Sequence, residues 1–153
     1  MRALETKLPP VALAFSLAVV AWLLAYSTPL VTFHIPFQTI IVALLLVAGA
    51  AISIAGVYSF RVGNTTVNPT TPSETSSVVT TGVYGYSRNP MYVGFGLALL
   101  AVVVHLGNLT CCLVIPFYVA YMNRFQIKPE EQALLGKFGA PFAAYMDRVR
   151  RWI

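Results

Sequence analysis

Apolar residues along this chain are gathered into long blocks instead of alternating with polar ones. Four blocks stand out, at about 8–26, 36–60, 91–107 and 109–125. A hydrocarbon core about 30 Å thick needs about 20 residues of helix, within a range of about 17–25, and each block meets that length. The second carries no charge, and the fourth contains Pro116, which predicts a kink. One such block is compatible with the core helix of a soluble protein; four in one short chain are not. Between the second and third blocks lies a polar stretch, 61–90, rich in Thr, Ser, Asn, Pro and Gly. Such composition reads as a linker, although loops this long tend to be functional. After the fourth block Pro129 opens a helix, Gly139 is placed to end it, and Pro141 starts another. Across that tail Leu134, Phe138, Phe142, Tyr145, Val149 and Trp152 recur at three- and four-residue spacing, with Lys137, Arg148, Arg150 and Arg151 on the other side. The pattern predicts an all-α integral membrane protein: four transmembrane helices in a single domain over 1–153, a cytosolic loop at 61–90, and a cytosolic amphipathic C-terminal helix pair at 129–153.

Composition agrees. The 153 residues are 58% hydrophobic and only 10% charged, against about 45–50% apolar and about 25% charged in an average soluble domain. The net charge of +5 is therefore read as topology and not as nucleic-acid binding. Arg2 and Lys7 precede the first block, Arg61 and Arg88 lie in the 61–90 loop, and Arg124, Lys128, Lys137, Arg148, Arg150 and Arg151 lie in the tail, whereas the stretches 27–35 and 105–108 hold no Lys or Arg. Alternate loops are basic, which predicts a multi-pass protein with both termini and the middle loop in the cytoplasm. A cleaved signal peptide fits poorly, because the first block exceeds an h-region of about 7–15 residues and Trp22 to Tyr26 offers no small-x-small site. Gly49, Ser53 and Gly56 in the second block, and Gly94, Ala98 and Ala101 in the third, predict closely packed helices. Cys111 and Cys112 are adjacent inside an apolar block and read as small hydrophobes.

Candidate chemistry is confined to the predicted cytosolic side. The run from Thr80 to Tyr92 crowds Tyr84, Tyr86, Arg88, Asn89, Pro90 and Tyr92 against the start of the third block. Asn89 and Pro90 suit a helix cap and first turn, which leaves Arg88 and the clustered aromatics unexplained. Glu130 and Glu131 suit the first turn of a helix, where carboxylates oppose the macrodipole, or a ligand site. No metal-ligand cluster, Ser-His-Asp set or Gly-x-Gly-x-x-Gly fingerprint is present; Gly94-Phe-Gly96 is followed by Leu99 where the third glycine belongs. His34 and His105 are isolated near the predicted outer interface, so no metal is expected.

Two strings carry a family resemblance. The segment from Thr81-Gly82-Val83-Tyr84-Gly85 through Arg88-Asn89-Pro90-Met91-Tyr92-Val93-Gly94, and the tail pattern Pro129-Glu130-Glu131, Leu134, Phe138-Gly139, Tyr145 and Val149-Arg150-Arg151-Trp152, together resemble the isoprenylcysteine carboxyl methyltransferase and phospholipid methyltransferase superfamily. The resemblance covers about 69–153. It implies an integral membrane enzyme using S-adenosyl-L-methionine, with S-adenosyl-L-homocysteine as product and a lipophilic small molecule or lipid head group as methyl acceptor. Carried onto this chain, it implies a cofactor site from Ser76, Ser77, Val78, Val79, Tyr84, Asn89, Pro90, Met91, Tyr92 and Glu130, to which the chemistry of the residue types adds Arg88 and Glu131. Asn89, Tyr92 and Arg124 then stand closest to the chemistry. The isoprenylcysteine branch has histidine where this chain has Asn89, and the Arg-Asn-Pro form is common in bacterial-type members, so the resemblance does not name prenylcysteine as acceptor.

The residue types suit that cofactor. Glu130 or Glu131 can take its ammonium or ribose hydroxyls, Arg88 and free N–H groups its carboxylate, and the tyrosines its adenine or sulfonium. Methyl transfer needs alignment and exclusion of water more than a metal. Two other readings stay open: an NADPH-dependent membrane reductase of similar architecture, and a non-catalytic membrane subunit.

Overall fold

The computed structural model describes residues 8–62 and 78–153; Ser76 and Ser77 lie outside the described residues. The described chain is helical, with one isolated bridge between Thr32 and Asn108. Six α-helices follow in order: α1 (Pro10–Ser27), α2 (Gln38–Val62), α3 (Pro90–Leu106), α4 (Val114–Tyr121), α5 (Lys128–Phe138) and α6 (Ala140–Arg148). A 3₁₀ turn, Gly82–Gly85, precedes α3, and another, Leu109–Leu113, leads into α4. The fourth apolar block is thus a composite. It begins as 3₁₀, becomes α4 with Pro116 in its first turn, where a proline fits, and widens into a π-helical turn, Met122–Ile127, before running into α5 without a loop.

The π turn has a local cause. Pro129 lies in the first turn of α5 inside what is otherwise one continuous helix. Its ring crowds the carbonyl four residues back, at Phe125, and it has no N–H to offer. Widening the preceding turn to i→i+5 bonding accommodates both effects.

α1 and α2 are long and apolar enough to cross a membrane, and α3 is a shorter apolar helix. The soluble-core alternative for α2 fails on burial. Only Gly49 and Gly56 of its residues are buried, while Ile40, Leu44, Val47 and Ile54 face outward. A helix that is apolar on its exposed face needs an apolar solvent, so this protein is membrane-associated.

α2 and α3 run antiparallel in close contact, and the small residues are the reason. A Cβ on Gly49 would stand 2.7 Å from the Gly94 carbonyl oxygen, one on Gly56 2.8 Å from Met91 Cγ, and one on Gly94 would collide with Ser53. The main core forms where α3 meets α1 and α4, around Leu13, Leu17, Tyr92, Leu99, Val103, Tyr118 and Met122. Trp152 of the tail packs on it, and a smaller cluster of Phe142, Tyr145 and Val149 seats α6 against Val78, Leu134 and Phe138.

At one end of the bundle a polar knot joins α1, α2 and the α3–α4 turn. Asn108, 1% exposed, donates to the Thr28 carbonyl at 2.7 Å and accepts from the Thr110 N–H at 2.9 Å. Gln38 donates to the Val104 and His105 carbonyls at 2.6 and 3.1 Å. Gly107, at φ 57°, ends α3 where a Cβ would press on the Phe33 carbonyl at 2.8 Å. His34, His105 and Cys112 are exposed, and Cys111 is buried with its Sγ 3.0 Å from the Ala21 carbonyl oxygen.

Gly94→Val should therefore prevent α2 and α3 from pairing, seen as loss of monodisperse, heat-cooperative protein in detergent. Gly136→Ala, in the interior of α5 with nothing within 4 Å of a new Cβ, should stabilise by about 0.5–1 kcal/mol through helix propensity.

Candidate active site

The end of the bundle opposite the polar knot carries the charged residues. Pro90, almost fully buried, starts α3, with Asn89 as its cap residue. Asn89 caps by backbone geometry alone. Its side-chain amide donates instead to the Arg151 carbonyl at 2.9 Å, and its own N–H goes to Ser87 Oγ at 3.1 Å. The Arg88 N–H donates to the Arg150 carbonyl at 3.0 Å. The Arg-Asn-Pro string is thereby stitched to the last residues of the tail.

Glu131 completes that stitching. Its Oε1 receives Arg88 Nη2 at 2.7 Å and Arg151 Nε at 3.0 Å, and its Oε2 receives Arg151 Nη2 at 2.6 Å. Arg88 also donates from Nη1 to the Met146 and Val149 carbonyls, both at 2.6 Å. The Arg88 and Glu131 side chains are only 10% and 11% exposed. Burial works to raise the Glu131 pKa, but the Arg151 and Arg88 hydrogen bonds outweigh it and hold the carboxyl below its ordinary value, and the same pairing raises Arg151. Arg88 and Glu131, which the residue inventory offers to a ligand, here bind each other and the tail. The Arg88 Nε is the one buried side-chain polar atom without a partner among the described residues.

Glu130, one residue earlier, has different surroundings. Successive residues on a helix point about 100° apart, so it turns away from the arginines toward α3. Its Oε1 accepts the Tyr92 hydroxyl at 2.7 Å and, closely, the Gln126 side-chain amide. Both donors are neutral. Part of the residue reaches the surface, but its carboxyl group is enclosed, and burial pushes its pKa up to about 7; the two hydrogen bonds resist that rise and the neighbouring Glu131 charge adds to it. Tyr84 is buried nearby, edge-on to Phe60 at 5.2 Å, and its phenol is raised by burial and by the Tyr145 and Glu130 charges. Tyr145 donates to the Tyr84 carbonyl at 2.8 Å, and burial pushes its own pKa up to about 12.

The remaining sequence candidates are more dispersed. Met91 packs against Gly56. Val78 joins the α6 cluster, and with Val79 it lines a cavity of about 560 Å³ between the end of α2 and residues 78–83. Arg124 sits on the π turn with its guanidinium 5.7 Å from the Phe125 ring, and Tyr86 is exposed. No group of three or more potential metal ligands occurs among the described residues. Sequence reasoning missed two participants. Gln126 was legible as the residue four before Glu130. Arg151 reads only as part of a basic helix face, and nothing in its spacing pairs it with Glu131.

Two outcomes follow. Glu131→Ala leaves Arg88 and Arg151 without their counter-charge and should cost about 3–5 kcal/mol by denaturant titration. Folding raises the Glu130 carboxyl from an ordinary 4.5 to about 7, so the folded chain binds the extra proton in that window and loses stability as pH rises through it. Glu130→Gln removes this penalty: it should gain roughly 2–3 kcal/mol on the parent at pH 8 and little at pH 4.

Comparison with known proteins places this arrangement. The phospholipid methyltransferase family profile matches residues 37–140. A protein of Haemophilus influenzae described as uncharacterized is 40% identical over 63 residues, which is 41% of this chain and 100% of that protein. The protein-S-isoprenylcysteine O-methyltransferases of Mus musculus and Rattus norvegicus are each 35% identical over 77 residues, covering 50% of this chain and 27% of theirs. The chain thus aligns with about a quarter of the length of those two relatives. No solved structure matches. The profile match runs from the start of α2 through α5, taking in Arg88, Asn89, Tyr92, Glu130 and Glu131; on that match, the chain belongs to the phospholipid methyltransferase family.

Proposed function

We propose that the protein transfers a methyl group from S-adenosyl-L-methionine to a lipophilic acceptor at the cytoplasmic membrane face. In this reading α1, α2, α3 and the composite α4 segment span the bilayer, and the 61–90 loop and the tail lie in the cytoplasm. The alternation of basic and uncharged loops supports that orientation. So does the separation of the bundle into an end with the neutral Asn108 knot and an end with Arg88, Glu130, Glu131 and Arg151.

The observation that carries the reading is Glu130. An enclosed carboxylate held by two neutral donors is poorly compensated, and burial leaves it half-protonated near pH 7. A cationic ligand beside it restores the balance. S-adenosyl-L-methionine fits, since it carries an ammonium and a sulfonium, and the buried Tyr84 and Tyr92 rings offer faces for a cation or a base. When bound, it supplies an electrophilic methyl group that an acceptor lone pair takes by in-line displacement, leaving S-adenosyl-L-homocysteine. The chain's part is alignment: Glu130 orients the charged end, Tyr92 and Tyr84 wall the pocket, and Asn89 holds the start of α3 against the tail. Arg88, Glu131 and Arg151 support this pocket from behind. Val78 and Val79, which line the cavity at the end of α2, are assigned to the same site with Pro90 and Met91, and Arg124 to its acceptor side. The family's relatives methylating a protein-attached isoprenylcysteine support a lipophilic acceptor.

Calorimetric titration in detergent with S-adenosyl-L-homocysteine, and with NADPH in parallel, tests this. Saturable binding of the first alone is expected. Glu130→Ala and Tyr92→Ala should weaken it at least about tenfold, whereas His34→Ala and Cys111→Ser should leave it unchanged. Binding of NADPH alone would make the protein a reductase; binding of neither by folded protein would leave it a non-catalytic subunit.

A further inference from the structure

Gln126 is 2% exposed, a polar amide sealed inside a helical segment. Its place there follows from the π turn. The buried residues leading to it are Val114, Tyr118 and Met122, each four apart. On an α-helix, four-residue spacing drifts by about 40° per step, so such a stripe winds off its face within three steps. The i→i+5 turn over Met122–Ile127 takes up an additional residue and cancels that drift. Gln126 therefore arrives on the same inward face as Tyr118 and Met122, at the height of Glu130. A polar side chain at this position is costly unless bonded, and its amide N–H is spent on Glu130.

The bonding is one-sided. The amide of Gln126 and the hydroxyl of Tyr92 both go to Oε1 of Glu130, and the second oxygen takes part in neither bond. Two donors, arriving from α3 and from the π turn, fix the carboxylate's plane through a single atom. We propose that Gln126 is a positioning residue: with Tyr92 it clamps one oxygen of Glu130, so that the other is presented to a cationic group of the ligand. This rests on the reading of the site given above. It also gives the π turn, placed there by Pro129, a use.

Among the described residues, the groups facing Glu130 are Tyr92 from α3, Tyr84 from the 3₁₀ turn before it, and Glu131 on its own helix. The Glu131 charge is already taken by Arg88 and Arg151, and Arg124 lies on the π turn. Among the described residues, the Gln126 bond is thus the adjustable influence on the charged form of Glu130. A donor to a carboxylate favours its charged state, and only the charged state attracts a cation. Ligand affinity should therefore rise with pH through the Glu130 transition, and loss of Gln126 should move that rise to higher pH.

The test has two arms on the full chain in detergent. In the first, the Glu130 carboxyl is titrated by ¹³C NMR of glutamate-labelled protein, its resonance assigned by its loss in Glu130→Gln. Gln126→Met, close in volume but without a donor, should raise the midpoint by about one pH unit. In the second, S-adenosyl-L-homocysteine binding is measured between pH 6 and 9. Gln126→Met should bind roughly fivefold more weakly at pH 7, with the difference closing by pH 9. Gln126→Asn, whose amide is withdrawn by one methylene, should behave as Gln126→Met does and stands in for it if the latter does not fold. An unmoved NMR midpoint, or a loss of affinity equal at every pH, would overturn the positioning role. A shifted midpoint with no binding by the unsubstituted protein at any pH would overturn the cofactor reading, leaving Gln126 as the residue that holds Glu130.

Discussion

One carboxylate organises the charged end of this molecule. Glu131 is shared by two guanidiniums, Arg88 just before α3 and Arg151 just beyond α6. Charges this enclosed are tolerable only when paired and fully hydrogen-bonded, so the three residues have essentially one arrangement open to them. That arrangement draws the start of α3, the first turn of α5 and the end of the chain to a point. The main-chain bonds follow from it: Arg88 to the Arg150 carbonyl, Asn89 to the Arg151 carbonyl, and Arg88 to the carbonyls that end α6. Tyr92, one turn into α3, is then set opposite Glu130.

Neighbouring glutamates thus acquire opposite characters. Glu131 meets two cations and stays ionised; Glu130 meets a phenol and an amide and sits near half-protonation at neutral pH. Helical geometry alone separates them, since adjacent side chains diverge by about 100°. The arginine-paired residue gives rigidity, and the other is left, among the described residues, with neutral partners.

The two ends of the bundle solve different problems. At the Asn108 end, neutral amides and hydroxyls satisfy one another and the exposed carbonyls of a tight turn. At the other end, charge is concentrated and tied to the tail. Between them α2 contributes little but glycine-mediated contact with α3 and an outward apolar face, an arrangement that lipid, and not water, makes stable. Asymmetry of this kind gathers the ion pairs of the described residues at one end of the bundle.

Much of this was legible in the chain itself. Block lengths located the helices α1, α2 and α3 to within two residues, because an unbroken apolar run of this length satisfies its own backbone only as helix. The spacing of Gly49, Ser53, Gly56 and Gly94 marked a close helix pair, because nothing larger fits. The cluster around Asn89 and Tyr92, and the Glu130-Glu131 pair, stood out because polar residues are scarce in so apolar a sequence. Other features needed the tertiary structure. The residue types offered both glutamates and the family resemblance pointed to Glu130; only packing decided which one the arginines take. The sequence showed Arg151 as one of four basic residues on the polar side of the tail, and only the return of that tail to α3 made it the partner of Glu131. It offered Pro129 as a helix start, whereas the folded chain runs through it by widening a turn. That widening turned Gln126 inward. Local periodicity records which residues share a face; which charge compensates which is set by contacts between segments far apart along the chain, and no spacing rule carries that information.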